Sequence, residues 1–200
     1  MRAIHTLSAR EGAKMRRFSV VLAVLSVAAL TTTAAFASNV HFKKGGSPTC
    51  TISGTGTTSI TTSCTGTVTG LGGADIEIDL TTSGFAVYQC QNNGGQIAPG
   101  QNRVLEGPNT TPTFIPGSEV KNGNLTFTVS NADDPLTASG TATAADAGCP
   151  SSNWTGVNPK LTLTDITLSF YQPVGTLVFT CTASNKNGLS GTVPLSCTFA

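Results

Sequence analysis

Histidine, tryptophan, tyrosine and ionised side chains are all scarce in this chain, with two His, one Trp, two Tyr and 10% charged residues among 200. Each shortage argues against a class of function. His5 lies in an N-terminal leader, so His41 is the histidine left to a processed chain, and a nucleophile–base–acid triad lacks a well-placed base. Zinc sites need closely spaced thiolates, and no two cysteines here fall within such a short loop. From residue 38 onward six bases face nine acids, a net charge of −3, which is the wrong sign for a nucleic-acid partner. Beyond residue 30 no apolar run approaches the roughly 20 residues of a spanning helix, so no membrane association is expected once the leader is removed.

The leader itself is readable. Arg16 and Arg17 precede an apolar run from Phe18 to Leu30, and Ala35-Phe36-Ala37 offers the small residues a signal peptidase accepts. Residues 1–37 are therefore expected to be a signal peptide and 38–200 a single secreted domain. Met15-Arg16-Arg17-Phe18 is already an ordinary signal start, which makes Met15 a candidate translation start. The residues flanking the arginine pair are not those of folded-protein export, so the unfolded route is expected.

What is abundant is threonine, serine, glycine and asparagine between short apolar alternations. Ile76, Ile78 and Leu80 alternate with Asp75, Glu77 and Asp79, and Leu125, Phe127 and Val129 alternate with Thr126, Thr128 and Ser130. Both patterns predict half-buried strands. Leu161 and Leu163 share one parity while Ile166, Leu168 and Phe170 share the other, so a bulge or strand change belongs at Thr164-Asp165. Gly- and Pro-containing turns punctuate the rest, among them Gly94-Gly95, Pro116-Gly117, Asn122-Gly123 and Asn187-Gly188. The fold expected is all-β, an antiparallel β-sandwich of immunoglobulin-like or related type, with an open barrel as the alternative. Gln91–Asn102 reads as the longest loop, and 131–153 as a second unpatterned region.

Six cysteines lie beyond the leader, and four sit in a repeated phrase, Thr49-Cys50-Thr51 with Ser63-Cys64-Thr65 and Thr180-Cys181-Thr182 with Ser196-Cys197-Thr198. An even count in an exported chain is a stabilising framework. The phrase suggests bridges Cys50–Cys64 and Cys181–Cys197, leaving Cys90–Cys149. A second echo competes, since Asp75-Ile76 leads to Cys90 much as Asp165-Ile166 leads to Cys181, and the pairing stays open between them.

Asn39-Val40-His41-Phe42-Lys43, the segment Cys90–Asn102 with Pro99-Gly100-Gln101-Asn102, and Cys149-Pro150 before Asn153-Trp154-Thr155 resemble a family of small exported bacterial all-β proteins. The resemblance spans most of residues 38–200 and implies a bacterial origin and one all-β domain. It carries over no functional residue, and the cysteine phrase around Cys50 and Cys64 departs from it.

Asp75, Glu77 and Asp79 are the densest acidic feature. Alternate strand residues stand about 7 Å apart, a spacing open to paired glycosidase carboxylates or to calcium with help from another loop, and equally to a solvated face that protects a sheet edge. Asn131, Asp133 and Asp134 form a second oxygen-rich segment whose Asp-Asp-Pro turn needs no ion. Trp154, Tyr88 and Tyr171 could stack on sugar rings, although each has a packing role open to it. His41 reads as a surface or strand-end residue. The three Asn-x-Thr triplets are chance matches in a Thr-rich bacterial chain, and the Thr-Cys-Thr phrases lack the fixed short period of an ice-binding solenoid.

The function expected is a non-catalytic, cofactor-free, extracellular monomer that binds a cell-envelope glycan or a secreted protein through its loops or a Thr-rich sheet face. The alternatives are a carboxylate-dependent glycan hydrolase, or an inhibitor of another secreted protein presenting Gln91–Asn102.

Overall fold

A computed structural model describes residues 39–200, so the expected signal peptide and the candidate start at Met15 lie outside the described residues. Two antiparallel sheets face one another, as the alternation predicts. The first is built on β3 (Ser59–Thr69), which pairs with β1 (His41–Phe42), β2 (Thr49–Ser53), β6 (Asn124–Ser130) and β7 (Leu136–Thr137), while β10 (Gly191–Pro194) extends it from β2. The second runs β11 (Ser196–Phe199), β9 (Leu177–Ser184), β8 (Trp154–Tyr171), β4 (Ile76–Asn92), β5 (Ile97–Ile115).

Apolar alternation sets which face of each strand turns inward. Ile60 and Val68 from the first sheet meet Ile78, Leu80, Leu161, Leu168 and others from the second, all fully buried. Phe170 and Phe179 stack at 4.8 Å between ring centroids, and Phe127 reaches Phe170 from the opposite sheet at 6.1 Å. Offset and tilted aromatic pairs of this kind add about 0.5–1.5 kcal/mol beyond their buried area.

The sheets are unequal. β4, β5 and β8 have 17, 19 and 18 residues, whereas β3, the longest strand opposite, has 11. The overhanging inner face of the second sheet, which carries Ala86, Tyr88 and Cys90, is covered by the unpatterned 131–153 segment and its one-turn helix α1 (Ala144–Ala147). Thr143 caps α1 by accepting from the Asp146 N–H, and Gly148 closes it at φ 66°. Close approach requires two glycines in the sheet: a Cβ on Gly100 would stand 2.7 Å from Ala147 O, and one on Gly156 would stand 2.9 Å from Ala147 Cβ. Cys90–Cys149 ties this cover to β4, and Cys50–Cys64 and Cys181–Cys197 bridge directly opposed residues of β2–β3 and β9–β11. The repeated phrase therefore identifies the bridges. The second echo corresponds to no bridge, since Asp75 precedes β4 and Asp165 lies within β8.

The parity slip is a bulge. β4 pairs Ser83 with Asp165 and Gly84 with Leu163, leaving Thr164 between them. Asn122 and Gly123 both take positive φ, 52° and 74°, in the turn leading into β6, as an Asn-Gly pair is suited to do. Two expectations need correction. Gln91–Asn102 is the tip of the β4–β5 hairpin, with strand pairing resuming at Ile97, because the Gly94-Gly95 turn is tight enough to return the chain within four residues. β4 pairs with both β5 and β8, so its acidic residues protect no sheet edge.

The Cys90–Cys149 bridge closes the longest loop of the three and should contribute about 4 kcal/mol through the unfolded chain. Replacing both with Ser is predicted to lower urea-unfolding stability by more than loss of either short bridge, with the early loss of amide protection confined to residues 131–153.

Candidate functional site

The residues singled out by sequence do not converge. His41 is exposed in β1, its Nε2 2.9 Å from Thr69 Oγ1 and its Nδ1 2.8 Å from Asn39 O, the strand-end role expected. Tyr88 is buried, 1% exposed, so its ring cannot stack on a sugar; the cover over the overhang encloses it. Its hydroxyl donates to Ser139 O at 2.9 Å and to Glu106 Oε1 at 3.3 Å. Burial, together with the nearby Glu106 carboxylate, pushes the phenol up to about 12. Trp154 opens β8 half-buried against the core. Tyr171 alone among the three stands on an outer face, opposite Glu77.

Asp75 lies ahead of β4, where its Oδ1 accepts the Gly117 N–H at 2.8 Å. Only Glu77 and Asp79 share the outer face, on an open sheet, and among the described residues no three His, Cys, Asp or Glu side chains gather closely enough to hold a metal ion. Asn131 is 1% exposed and turned inward: its Oδ1 accepts the Thr62 N–H at 2.6 Å and its Nδ2 donates to Thr82 Oγ1 at 3.4 Å, clamping β3 to β4. It is thus an inter-sheet tie rather than part of an oxygen-rich loop. Gln172, which sequence reasoning passed over, clamps the turn before β4, accepting the Gly72 N–H and donating to the carbonyls of Gly72 and Ala74. Only a polar residue out of step with the alternation of its strand could have signalled it.

What the fold does assemble is two outer faces of different character. On the first sheet, register aligns Thr192, Thr51, Ser63 and Ser130 in one transverse row and Thr49, Thr65 and Thr128 in the next. Thr67 and Thr126 follow with their hydroxyls 3.1 Å apart. Rows stand about 7 Å apart along the strands and neighbours about 4.8 Å across them. No Asp, Glu, Lys or Arg occurs in any of these six strands.

The outer face of the second sheet is zoned. At one end Glu77 lies between Phe114 and Tyr171, and Asp79 between Pro112 and Ser169. A hydroxyl row, Thr110, Thr81, Thr167, Thr182 and Ser196, crosses all five strands. Past the bulge, Val87 lies between Arg103 and Lys160, and the Arg103 guanidinium stands 4.2 Å over the Phe85 ring. Lys186 and Asp165 line one shallow concavity there, and the Asp165 carboxylate accepts from the hydroxyls of Thr164 and Ser184 at 2.6 Å each. Among the described residues every exposed large apolar side chain, Leu105 at 83% and Phe114 at 63% foremost, belongs to this sheet or to its β8–β9 turn. A concavity of about 370 Å³ lined by Asn39, Gln172, Leu177 and Phe199 holds no titratable side chain.

No family model matches the chain, and no curated protein matches it. Among solved structures, a Bacteroides uniformis β-glucuronidase aligns at 14% identity and a TM-score of 0.34, over 73% of this chain and 14% of that one. At that level the similarity carries no argument.

Two substitutions test the buried polar groups. Asn131→Ala strands the Thr62 N–H and is predicted to cost about 1–3 kcal/mol in urea unfolding. Thr62→Val removes a buried hydroxyl with no partner and should leave stability equal or higher. For Tyr88 the folded pKa stands above the unfolded value of 10.0, so its contribution is intact below pH 10 and declines as pH rises toward 12. Unfolding free energies of Tyr88→Phe against the parent across that range should converge; a constant difference would contradict the assignment.

Proposed function

We propose that this protein is an exported, non-catalytic module that holds to a neutral polar surface, a cell-envelope glycan in chemical terms, through the hydroxyl face of its first sheet. The observation that supports this most is the charge-free array centred on Thr51, Thr65 and Thr128. Hydroxyls exchange water for sugar hydroxyls at a small net gain per bond, so affinity must come from many aligned contacts, which transverse rows supply to an extended ligand. The full pairing of the cysteines fits an oxidising compartment, and the Arg16-Arg17 leader with its Ala35-Phe36-Ala37 site supplies the route out. A bacterial origin accords with that leader.

A glycan hydrolase finds less support, because Asp75 is engaged by the Gly117 N–H and the remaining pair stands half-buried on a sheet face with no third carboxylate, histidine or cysteine gathered beside it among the described residues. Pelleting of the oxidised, processed protein with envelopes and insoluble polysaccharides tests the proposal. Saturable retention is expected, little changed by salt because no ion pair is involved. Thr65→Lys, at the exposed centre of the array, should abolish retention without altering the unfolding curve. Retention unaffected by Thr65→Lys, or absent from every surface, would overturn it.

A further inference from the structure

The outer face of the second sheet is electrically self-complementary, and we propose that it pairs with the same face of a second copy, making the protein a symmetric dimer. The sequence alone suggested a monomer; the zoning of this face points the other way. Glu77 and Asp79 occupy one end, Arg103, Lys160 and Lys186 the other, with the Thr110–Ser196 hydroxyl row and Asp165 between. Three acids and three bases leave the face neutral overall while keeping its two ends opposite in sign.

Two sheets packed face to face are related by a two-fold axis lying in the interface. An axis running across the strands reverses strand direction and lays each copy's acidic end on the other's basic end. An axis along the strands would oppose like charges. The sequence positions fit the first arrangement around one level, that of Ser83. Asp79 and Val87 are equidistant from it along β4, so the Pro112–Asp79–Ser169 row of one copy meets the Arg103–Val87–Lys160 row of the other. Glu77 then faces Gln89, and Thr81 faces the Phe85 and Leu105 row. Asp165 lies level with Ser83 and so comes closest to its own copy across the axis, where the hydroxyls of Thr164 and Ser184 hold each carboxylate and Lys186, lining the same concavity, offsets the like charge.

The surface is adequate in size and composition. From Glu77 to Gln89 it runs about 40 Å, and the three strands that share this full length, β5, β4 and β8, make it roughly 14 Å wide, or about 580 Å² per copy. That reaches roughly the lower end of specific interfaces, about 600 Å² per partner. Leu105, Phe114, Val87 and Ile97, exposed in the single chain, lie on or beside it, whereas the first sheet exposes no comparable side chain among the described residues. The aligned packing of twisted sheets at about −30° accommodates the pairing. The first-sheet hydroxyl faces are then left outward on opposite sides of the dimer, so this inference stands independently of the envelope-binding proposal.

Sedimentation velocity on the oxidised, processed protein tests it through a charge swap. The unmodified protein should sediment as a dimer that weakens as salt rises. Asp79→Lys places a base against Arg103 and Lys160, and Lys160→Glu places an acid against Asp79, so each variant alone should dissociate at least about tenfold more readily. Arg103 is left in place because it covers Phe85. An equimolar mixture of the two variants restores opposite charges at both ends and should recover the dimer, which also shows that each variant is folded. A monomeric parent at all concentrations, a dimer indifferent to both substitutions, or a mixture that stays monomeric would overturn the proposal.

Discussion

The length of three strands governs this molecule. β4, β5 and β8 outrun the longest strand of the first sheet by about two-fifths of their length, and an uncovered overhang would leave Ala86, Tyr88 and Cys90 in water. The chain resolves this with a segment of little regular structure, held down by a disulfide, two close-packed glycines and the Tyr88 hydroxyl. Once the overhang is covered, long strands become an advantage, since only they give the outer face enough reach to separate acids from bases.

Polar groups inside the sandwich serve as ties. Asn131 joins β3 to β4 and Gln172 fixes the turn that launches β4, so the two sheets are held in register by hydrogen bonds as well as by apolar packing. Buried polar groups are costly when unpaired, and these are paired. The hydroxyls outside are of a different kind. Threonine satisfies a pleated strand without charge, and the register turns a compositional excess into ordered rows.

Strand alternation, the Thr164 bulge, the Asn122-Gly123 turn and the two short bridges were legible because each rests on local spacing, whereas Cys90–Cys149, 59 residues apart, followed only as the remainder. The extent of the β4–β5 hairpin was not, since Pro99, Gly100 and Asn102 read as loop chemistry, while Pro99 pairs with Gln89 of β4 and Gly100 lies under the helix packed above it in the irregular stretch before pairing resumes at Arg103. Tyr88 and Asn131 misled for the same reason: burial by a segment without pattern leaves no trace in the pattern. The zoning of the outer face was invisible, because Asp79 and Lys160 meet on one surface only through the register of β4 and β8.

The two sheet faces are proposed to do different work, the first meeting an envelope glycan. Threonine-methyl NMR separates them in one spectrum, because both faces carry threonines. On adding solubilised envelope glycan, the methyl resonances of Thr51, Thr65 and Thr128 are predicted to shift or broaden while those of Thr81, Thr110 and Thr167 stay fixed. Perturbation of the second set, or of neither, would contradict this division of roles between the faces.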